Sequence, residues 1–299
     1  MRRRLAIAML LIAAPALAQQ DPVLKSWNQP VEPFRIIGNL FYVGASEVAS
    51  YLVATPKGHI IIDGGLMETA PMIRANIEKL GFHFQDVRIL LNTHAHFDHA
   101  GGLAALKEWG GATLMASERD APLLARGGKN DPQFGDDDQF PAVTPDTLLR
   151  DGDHVTLGGS ILTAHLTPGH TPGCTTLTMT IREKGKPNNV VIVCSASVPK
   201  EYKLVGNNKY PDIVADYRQT FATLKALPCD VFLAVHGSFF DLLGKAARKA
   251  KGETPNPFID PEGYRKYVAA AEQAFEEELK RETPAPSPAA SRASSLAPR

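Results

Sequence analysis

Apolar segments and helical stretches alternate along the chain from about residue 40 to residue 280. Ten short segments are apolar throughout or alternate apolar and polar positions, and they are predicted to be β-strands: residues 40–43, 51–55, 59–63, 87–92, 112–116, 155–157, 161–166, 175–181, 190–194 and 231–235. Five longer stretches repeat apolar residues every three or four positions and are predicted to be α-helices: residues 69–80, 103–109, 212–227, 239–251 and 261–280. This mixed order predicts a layered protein of strands and helices rather than a bundle or an all-β sandwich.

Both ends of the chain lack this alternation. Residues 1–18 combine the basic start MRRR, an apolar run and the small-x-small site Ala16-Leu17-Ala18, which together predict a secretory signal peptide. A retained membrane anchor is the alternative, although the apolar run is short for a bilayer. Residues 283–299 are rich in Pro, Ala and Ser and are predicted to be a disordered tail. Residues 19–282 have the length of one large domain or two tightly joined halves. Because a signal peptide directs export, we expect this mature chain in a bacterial periplasm or outside the cell.

The composition narrows the range of partners. Lys and Arg together number 32, as do Asp and Glu, so the formal net charge is zero. Because domains that bind nucleic acid ordinarily carry a basic excess, we expect no nucleic-acid partner. The hydrophobic content of 44% is sufficient for a large core.

Four side chains that bind metals stand within six positions in the segment NTHAHFDHAGG, residues 92–102: His94, His96, Asp98 and His99. Imidazole nitrogen and carboxylate oxygen are ligands that suit Zn²⁺. The segment follows a predicted strand and precedes a predicted helix, and α/β proteins often place their sites on such loops. A solvated His-rich turn or a group of core histidines is the alternative interpretation.

Two further histidines also follow predicted strands. His170 stands after a Pro-Gly turn in HLTPGHTPGC, and His236 precedes a glycine in FLAVHGSF. A single histidine at a strand end is more often a hydrogen-bonded core residue than a ligand. Here, however, three strand ends would each supply ligands to the same rim of the domain, which favours a metal site. Four other histidines show no ligand spacing and are predicted to be structural or exposed to solvent: His59, His83, His154 and His165.

Several motifs together resemble one enzyme family. HAHFDH, TPGHTPG, the serine after VIVC, GNNKYPDIVADYRQTF and HGSFFDL are similar to the metallo-β-lactamases of subclass B3, over residues 27–279. The resemblance implies an α+β fold, a four-layer αββα sandwich of two mixed β-sheets, with a dinuclear zinc site at one edge. It also implies two Zn²⁺ per chain, the first bound by His94, His96 and His170 and the second by Asp98, His99 and His236.

The position after strand 190–194 separates this subclass from its relatives. Thioester hydrolases and nucleases of the superfamily typically carry a metal-bridging aspartate there, and subclass B1 carries a cysteine, whereas this chain has Ser195. Cys194 stands one position earlier, and strand alternation predicts that it faces away from the site.

The implied activity is hydrolysis of the β-lactam amide of penicillins, cephalosporins and carbapenems by a zinc-bound hydroxide that Asp98 orients. Ser195 and Ser197 would contact the substrate carboxylate and Tyr202 would lie near its carbonyl oxygen, although hydroxyls at strand ends are also common caps. An exported lactonase or esterase with the same ions, or a zinc-binding member without catalysis, are the alternatives. The expected partner is a small β-lactam substrate, and the expected state is a monomer without a stable membrane anchor.

Three cysteines in an exported chain leave at least one thiol unpaired. Cys174 and Cys194 lie near the site and either form a disulfide, the preferred interpretation, or remain buried thiols; Cys229 has no evident partner. Residues 126–146 have no periodicity and are predicted to be either a loop over the site or a surface loop. Residues 26–36 resemble subclass B3 and either fold over the site or form an irregular arm.

We expect export followed by cleavage after Ala18, because the small-x-small site lies directly after the apolar run. Mass spectrometry of protein from a periplasmic extract is expected to give Gln19 as the first residue. A soluble cytosolic form that retains Met1 would contradict the assignment.

Overall fold

The structure is a computed structural model that describes residues 21–283. The predicted signal peptide, residues 1–18, lies outside the described residues, and so does the predicted tail apart from Thr283. Two β-sheets pack face to face within the described part of the chain, with helices on their outer sides.

The first sheet has seven strands in chain order. They are β1 (Phe34–Ile37), β2 (Leu40–Tyr42), β3 (Tyr51–Thr55), β4 (Gly58–Ile62), β5 (Val87–Leu91), β6 (Thr113–Ser117) and β7 (Thr147–Leu149). Strands β1 to β4 pair antiparallel and β4 to β7 pair parallel. The sheet is therefore mixed, as predicted.

The second sheet has five strands in the order β12-β11-β10-β9-β8. They are β8 (His154–Leu157), β9 (Ser160–Leu166), β10 (Thr175–Glu183), β11 (Lys186–Val193) and β12 (Val231–Ala234). Only β11 and β12 pair parallel, so this sheet is mixed as well.

Eight α-helices connect or cover the sheets within residues 21–283. They are α1 (Pro22–Trp27), α2 (Ala70–Lys79), α3 (Phe97–Ala100), α4 (Leu103–Gly110), α5 (Ala121–Ala125), α6 (Ile213–Ala226), α7 (Leu242–Ala250) and α8 (Pro261–Glu282). In this part of the chain each helix is too short or too polar to cross a bilayer.

Alternation along β4 shows how the layers are held together. Ile60 and Ile62 pack into the core between the two sheets, whereas Ile61 packs into a second core beneath α2 and α4. Every residue of β4 is buried, which is expected for a strand covered on both faces. On the far side, Phe221 of α6 and Phe275 of α8 pack with ring centroids 5.6 Å apart. The predicted αββα sandwich is confirmed.

The predicted strands and long helices are confirmed to within a few residues, except at the ends of β10, β11 and α7. Five short elements were not predicted, namely β1, β7, α1, α3 and α5, because three to six residues are too few to show a period. Helix α7 begins at Leu242 rather than at residue 239, since Gly237–Phe240 form a 3₁₀ turn and Asp241 has a left-handed φ of 54°. The predicted loop at residues 126–146 is confirmed, because no helix or strand lies between α5 and β7.

A disulfide joins Cys174 and Cys194, as preferred from the sequence, with Cα atoms 6.0 Å apart. Cys174 directly precedes β10 and Cys194 directly follows β11, and both residues are fully buried. Cys229 is a free, partly buried thiol. The bridge therefore ties together two neighbouring strand ends beside the site.

We expect the double variant Cys174→Ala/Cys194→Ala to lower the free energy of unfolding by about 2–4 kcal/mol, because the crosslink restricts the unfolded chain. Urea unfolding of the purified variant measures the change. Cys229→Ala is the matched control and is expected to change the free energy of unfolding much less. A double variant as stable as the wild type would show that the bridge does not stabilise the fold.

Candidate metal centre

Four stretches of chain bring the predicted ligands to one edge of the sandwich. His94 and His96 follow β5, Asp98 and His99 lie on the single turn α3, His170 follows β9, and His236 follows β12. The prediction of a strand-to-helix loop is thus refined, because the last two ligands of the motif stand on a helical turn of their own. The side chains of Asp98 and His99 meet on this turn, with His99 Nε2 3.1 Å from an Asp98 carboxylate oxygen.

The first three histidines form a compact group. One ring nitrogen from each of His94, His96 and His170 lies within 4.8 Å of the others. Their ring centroids are 4.8 to 5.0 Å apart. Such spacing matches three side chains arranged around one common point.

The other three predicted ligands lie beside this group. His94, Asp98 and His99 also place one ligand atom each within 4.8 Å of one another. His236 Nε2 lies 3.3 Å from His99 Nε2 and 3.4 Å from an Asp98 carboxylate oxygen. The structure thus brings all six predicted ligands into one cluster.

Two buried ring nitrogens in the cluster have no hydrogen-bond partner among the described residues: His94 Nε2 and His99 Nδ1. A buried polar atom without a partner is costly and rare in native proteins, so each such atom needs an explanation. Imidazole nitrogens and a carboxylate are also the donor set that zinc prefers. The residues present therefore fit a zinc site.

Burial keeps the first three imidazoles neutral. It lowers the pKa of His94 and His170 well below the usual value of 6.5, and neighbouring histidines lower both further. Burial also lowers the pKa of His96. Neutral imidazole is the form that binds metal ions.

Asp98 and His99 change each other's pKa: that of Asp98 is lowered and that of His99 is raised. Burial raises the pKa of Asp98, but His99 and His236 outweigh it and hold that pKa well below the usual range. Burial lowers the pKa of His99, and the adjacent carboxylates outweigh it and raise that pKa. The cluster therefore contains a carboxylate that keeps its negative charge at neutral pH.

Two carboxylates that were not predicted support the ligands from behind. Asp63 accepts hydrogen bonds from the Thr93 backbone N–H at 2.8 Å and its hydroxyl at 2.6 Å, and lies 3.7 Å from His99 Nδ1. Glu47 lies 3.5 Å from His236 Nδ1 and accepts a hydrogen bond from the Ser238 hydroxyl. Carboxylates behind metal-binding histidines commonly fix the ring orientation. Asp63 could have been noticed in the sequence, because it is the last residue of a predicted strand segment and precedes two glycines. No feature of the sequence marks Glu47.

The three predicted substrate residues lie around His170. The Ser195 and Ser197 hydroxyls are 3.0 Å apart, and the Ser197 hydroxyl lies 3.4 Å from His170 Nδ1. The Tyr202 hydroxyl donates a hydrogen bond to the His170 carbonyl at 2.7 Å. Ser195 and Tyr202 are each only 2% exposed, so of the three Ser197 is the one that lines the cavity.

A cavity of about 790 Å³ opens above the cluster. Its base includes His96, Asp98, His170 and His236, and its walls include four aromatic residues: Trp27, Phe97, Phe134 and Phe239. Trp27 comes from the N-terminal segment and Phe134 from the loop at residues 126–146. Both segments therefore reach the site, in agreement with the interpretation that places them over it.

Cys194 and the remaining histidines are not part of the cluster's ligand set. Cys194 Sγ does lie within 4.8 Å of His94, so the prediction that it faces away is wrong, but its bond to Cys174 removes it as a ligand. Hydrogen bonds pair His154 with Thr163 and His165 with Thr178 on the second sheet. His59 packs against Phe82 and His83 is exposed, as their structural interpretation requires.

Comparisons with known proteins agree with this geometry. The family model of the metallo-beta-lactamase superfamily matches residues 43–236. The native FEZ-1 metallo-beta-lactamase from Legionella gormanii is 46% identical with a TM-score of 0.84, and the match covers 85% of this chain and 98% of that one. BJP-1, a subclass B3 metallo-beta-lactamase of Bradyrhizobium japonicum, is 41% identical with a TM-score of 0.82, covering 87% of this chain and 98% of that one.

Curated relatives are more distant. The lactamase-like protein vrtG of Penicillium aethiopicum is 26% identical over 240 residues, which are 78% of this chain and 62% of that protein. An N-acyl homoserine lactonase of Bacillus cereus is 24% identical over 190 residues, which are 55% of this chain and 68% of that protein. The chain thus spans less than two thirds of the length of vrtG.

The family model covers more than half of the chain, and the two solved structures are matched over almost their whole length. Both sheets, the histidine cluster and the serine after β11 are present in the described residues. The chain therefore belongs to the metallo-beta-lactamase superfamily, in its subclass B3.

Proposed function

We propose that this chain is an exported, zinc-dependent β-lactamase that hydrolyses the amide bond of penicillins, cephalosporins and carbapenems. The observation that carries the proposal is the meeting of six predicted ligands at the base of an open cavity. The two similar structures named as metallo-beta-lactamases support this class of reaction. The proposed site holds two zinc ions, one bound by His94, His96 and His170 and one by Asp98, His99 and His236.

Two zinc ions held there would lower the pKa of a shared water molecule to about 7 and polarise the substrate carbonyl. The contribution of the chain itself is to orient that water and the substrate. The Asp98 carboxylate lines the cavity, where it can accept a hydrogen bond from the attacking water and fix its direction. Ser195 is buried behind Ser197, so it is not the nucleophile in this proposal.

The cavity supplies two kinds of substrate contact. The Ser197 hydroxyl lines it and is proposed to donate a hydrogen bond to the substrate carboxylate. Aromatic side chains from three separate segments, including Trp27, Phe134 and Phe239, form apolar walls. A cavity of about 790 Å³ is of the size that binds drug-sized molecules, and its lining combines aromatic rings with polar and acidic side chains.

A lactonase with the same ions is the second candidate, because curated relatives include N-acyl homoserine lactonases. The two reactions differ in the bond that opens, an amide in a four-membered ring or an ester in a larger one. The β-lactamase is favoured because the two solved structures matched over 98% of their length are named as metallo-beta-lactamases, and Ser195 follows β11 where thioester hydrolases of the superfamily typically carry an aspartate. A zinc-binding member without catalysis is disfavoured because none of the six ligands is missing.

The disulfide supports the proposed export to the periplasm. Disulfides persist in oxidising compartments and are rare in reducing ones. The Cys174–Cys194 bridge lies inside the proposed mature domain, residues 19–282.

We expect the purified mature chain to hydrolyse a carbapenem and to do so far faster than an N-acyl homoserine lactone. Chelation should abolish the activity, and adding zinc back should restore it fully at two equivalents per chain, since both ligand sets are complete. Absorbance of the β-lactam ring measures the rate. Lactone hydrolysis without β-lactam hydrolysis would select the second candidate, and full activity at one equivalent would contradict the two-zinc site.

We expect Asp98→Asn to lower kcat by about a hundredfold or more while the fold and at least one zinc ion remain. The variant keeps one oxygen ligand but loses the negative charge that orients the water, and such a loss costs ~2.7–4 kcal/mol in the transition state. Ser195→Ala is the contrast and should mainly raise KM, because the Ser195 hydroxyl lies 3.0 Å from the Ser197 hydroxyl and positions it for the proposed contact with the substrate carboxylate. Steady-state kinetics with zinc analysis measures both. An equal fall in kcat for Ser195→Ala at unchanged zinc content would reassign the nucleophile to the serine.

A further inference from the structure

Asp120 is a buried carboxylate that contacts two separate loops. It is 1% exposed. One carboxylate oxygen accepts hydrogen bonds from the Ala95 backbone N–H at 3.0 Å and from the Thr171 hydroxyl at 2.7 Å. The other accepts one from the Gly173 backbone N–H at 2.7 Å. All three donors lie at least 25 positions away along the chain.

Two of these donors stand directly beside metal-ligand positions, and the third, Gly173, lies three residues after His170. Ala95 lies between His94 and His96, and Thr171 directly follows His170. The single carboxylate of Asp120 thus joins the two loops that carry the first group of histidines. The three ring nitrogens of that group come from these two loops, so their mutual distance depends on how the loops are held.

Asp120 does not play the capping role that its position at the start of α5 would allow. Asp120 stands at the N-cap position of α5, where an aspartate usually accepts a hydrogen bond from the first turn and stabilises the helix by about 1 kcal/mol. Here its side chain makes no capping hydrogen bond. The carboxylate instead points away from its own helix and toward the ligand loops.

The loop after His170 is shaped to approach this carboxylate closely. A Cβ atom at Gly173 would lie 2.4 Å from the Ser117 hydroxyl oxygen and 2.7 Å from the Asp120 carboxylate carbon. Glycine is therefore required at this position for the observed approach. Among the described residues no Lys or Arg forms an ion pair with Asp120, and the neighbouring Arg119 pairs with Asp216 instead. A buried charge without a cation depends on its hydrogen bonds, so the three donors are all needed.

We propose that Asp120 is a positioning residue that fixes the loop of His94 and His96 against the loop of His170. It holds the three ring nitrogens at ligand distance before zinc binds, which reduces the cost of ordering the loops on binding. The inference rests on the zinc site proposed above.

The test is the affinity of the folded, apo protein for zinc, measured by competition with a chromophoric chelator. Asp120→Asn replaces one carboxylate oxygen by an NH₂ donor, so at least one of the two backbone N–H groups loses its acceptor. We expect the zinc affinity to fall about 10–100-fold, the range found when groups supporting metal ligands are changed. Thr171→Val, which removes one hydrogen bond at nearly constant shape, should lower affinity less, and Thr171→Ser, which keeps the hydroxyl, should bind zinc like the wild type.

Asp230→Asn is the matched control. Its carboxylate also accepts a backbone N–H and a side-chain N–H, both from Asn189 on the second sheet, at 2.8 and 3.0 Å. This variant is expected to lose stability in thermal unfolding but to keep the zinc affinity of the wild type. An equal fall in affinity for Asp230→Asn and Asp120→Asn would overturn the proposal, because the effect would then follow stability alone.

Unchanged zinc affinity in both Asp120→Asn and Thr171→Val would also overturn it. If Asp120→Asn fails to fold, the Thr171 pair decides: weaker binding for Thr171→Val than for Thr171→Ser supports the proposal, and equal binding overturns it. A wild-type chain that binds no zinc would overturn the proposed function and this inference together, whereas normal zinc binding by every variant would overturn the inference alone.

Discussion

The burial of a polar cluster at the edge of an apolar sandwich is the constraint on which the rest of the structure depends. His94, His99 and Asp98 are at most 6% exposed, and two of their ring nitrogens have no hydrogen-bond partner among the described residues. Removing such groups from water is unfavourable unless they find hydrogen bonds or a metal ion. The fold must therefore supply both a rigid frame and enough compensating contacts at this one edge.

The frame comes from strands that are covered on both faces. β4 and β5 are buried between the inter-sheet core and the core under α2 and α4, and the disulfide joins the neighbouring ends of β10 and β11. The compensating contacts come from carboxylates behind the ligands. Asp63 holds Thr93, and Asp120 holds Ala95 on the other side of His94. The short ligand loop is thus anchored on both sides of His94. The apolar layers make the frame rigid, and the buried carboxylates orient the loop.

Much of this arrangement could be predicted from the sequence because its signals are local. Four ligands within six positions, and a histidine shortly after each of two apolar strands, point to one metal site without knowledge of the fold. The long strands and helices were equally predictable, since each shows its period over enough residues. The resemblance to subclass B3 then provided the layer order and the grouping of the ligands.

The supporting residues could not be predicted in this way. Asp120 carries no signal in the sequence, and its three partners lie 25, 51 and 53 positions away, so only the folded chain shows what it binds. Glu47 meets Ser238 across 191 positions. The prediction that Cys194 faces away from the site was wrong for a related reason. Side chains alternate between the two faces only within a strand, and β11 already ends at Val193.

The hairpin between β10 and β11 lies at the opposite end of the second sheet from the cluster. Glu183 pairs with Lys186 across a turn of Lys184 and Gly185, and β10 alone has nine residues, so about 25–30 Å separates the turn from the disulfide end. Both turn residues have positive φ and are exposed. Natural selection on catalysis should therefore act weakly there, and related genes are expected to differ in turn length. For the same reason the turn suits a fluorophore or a surface tether, because a label there leaves the mouth of the cavity open.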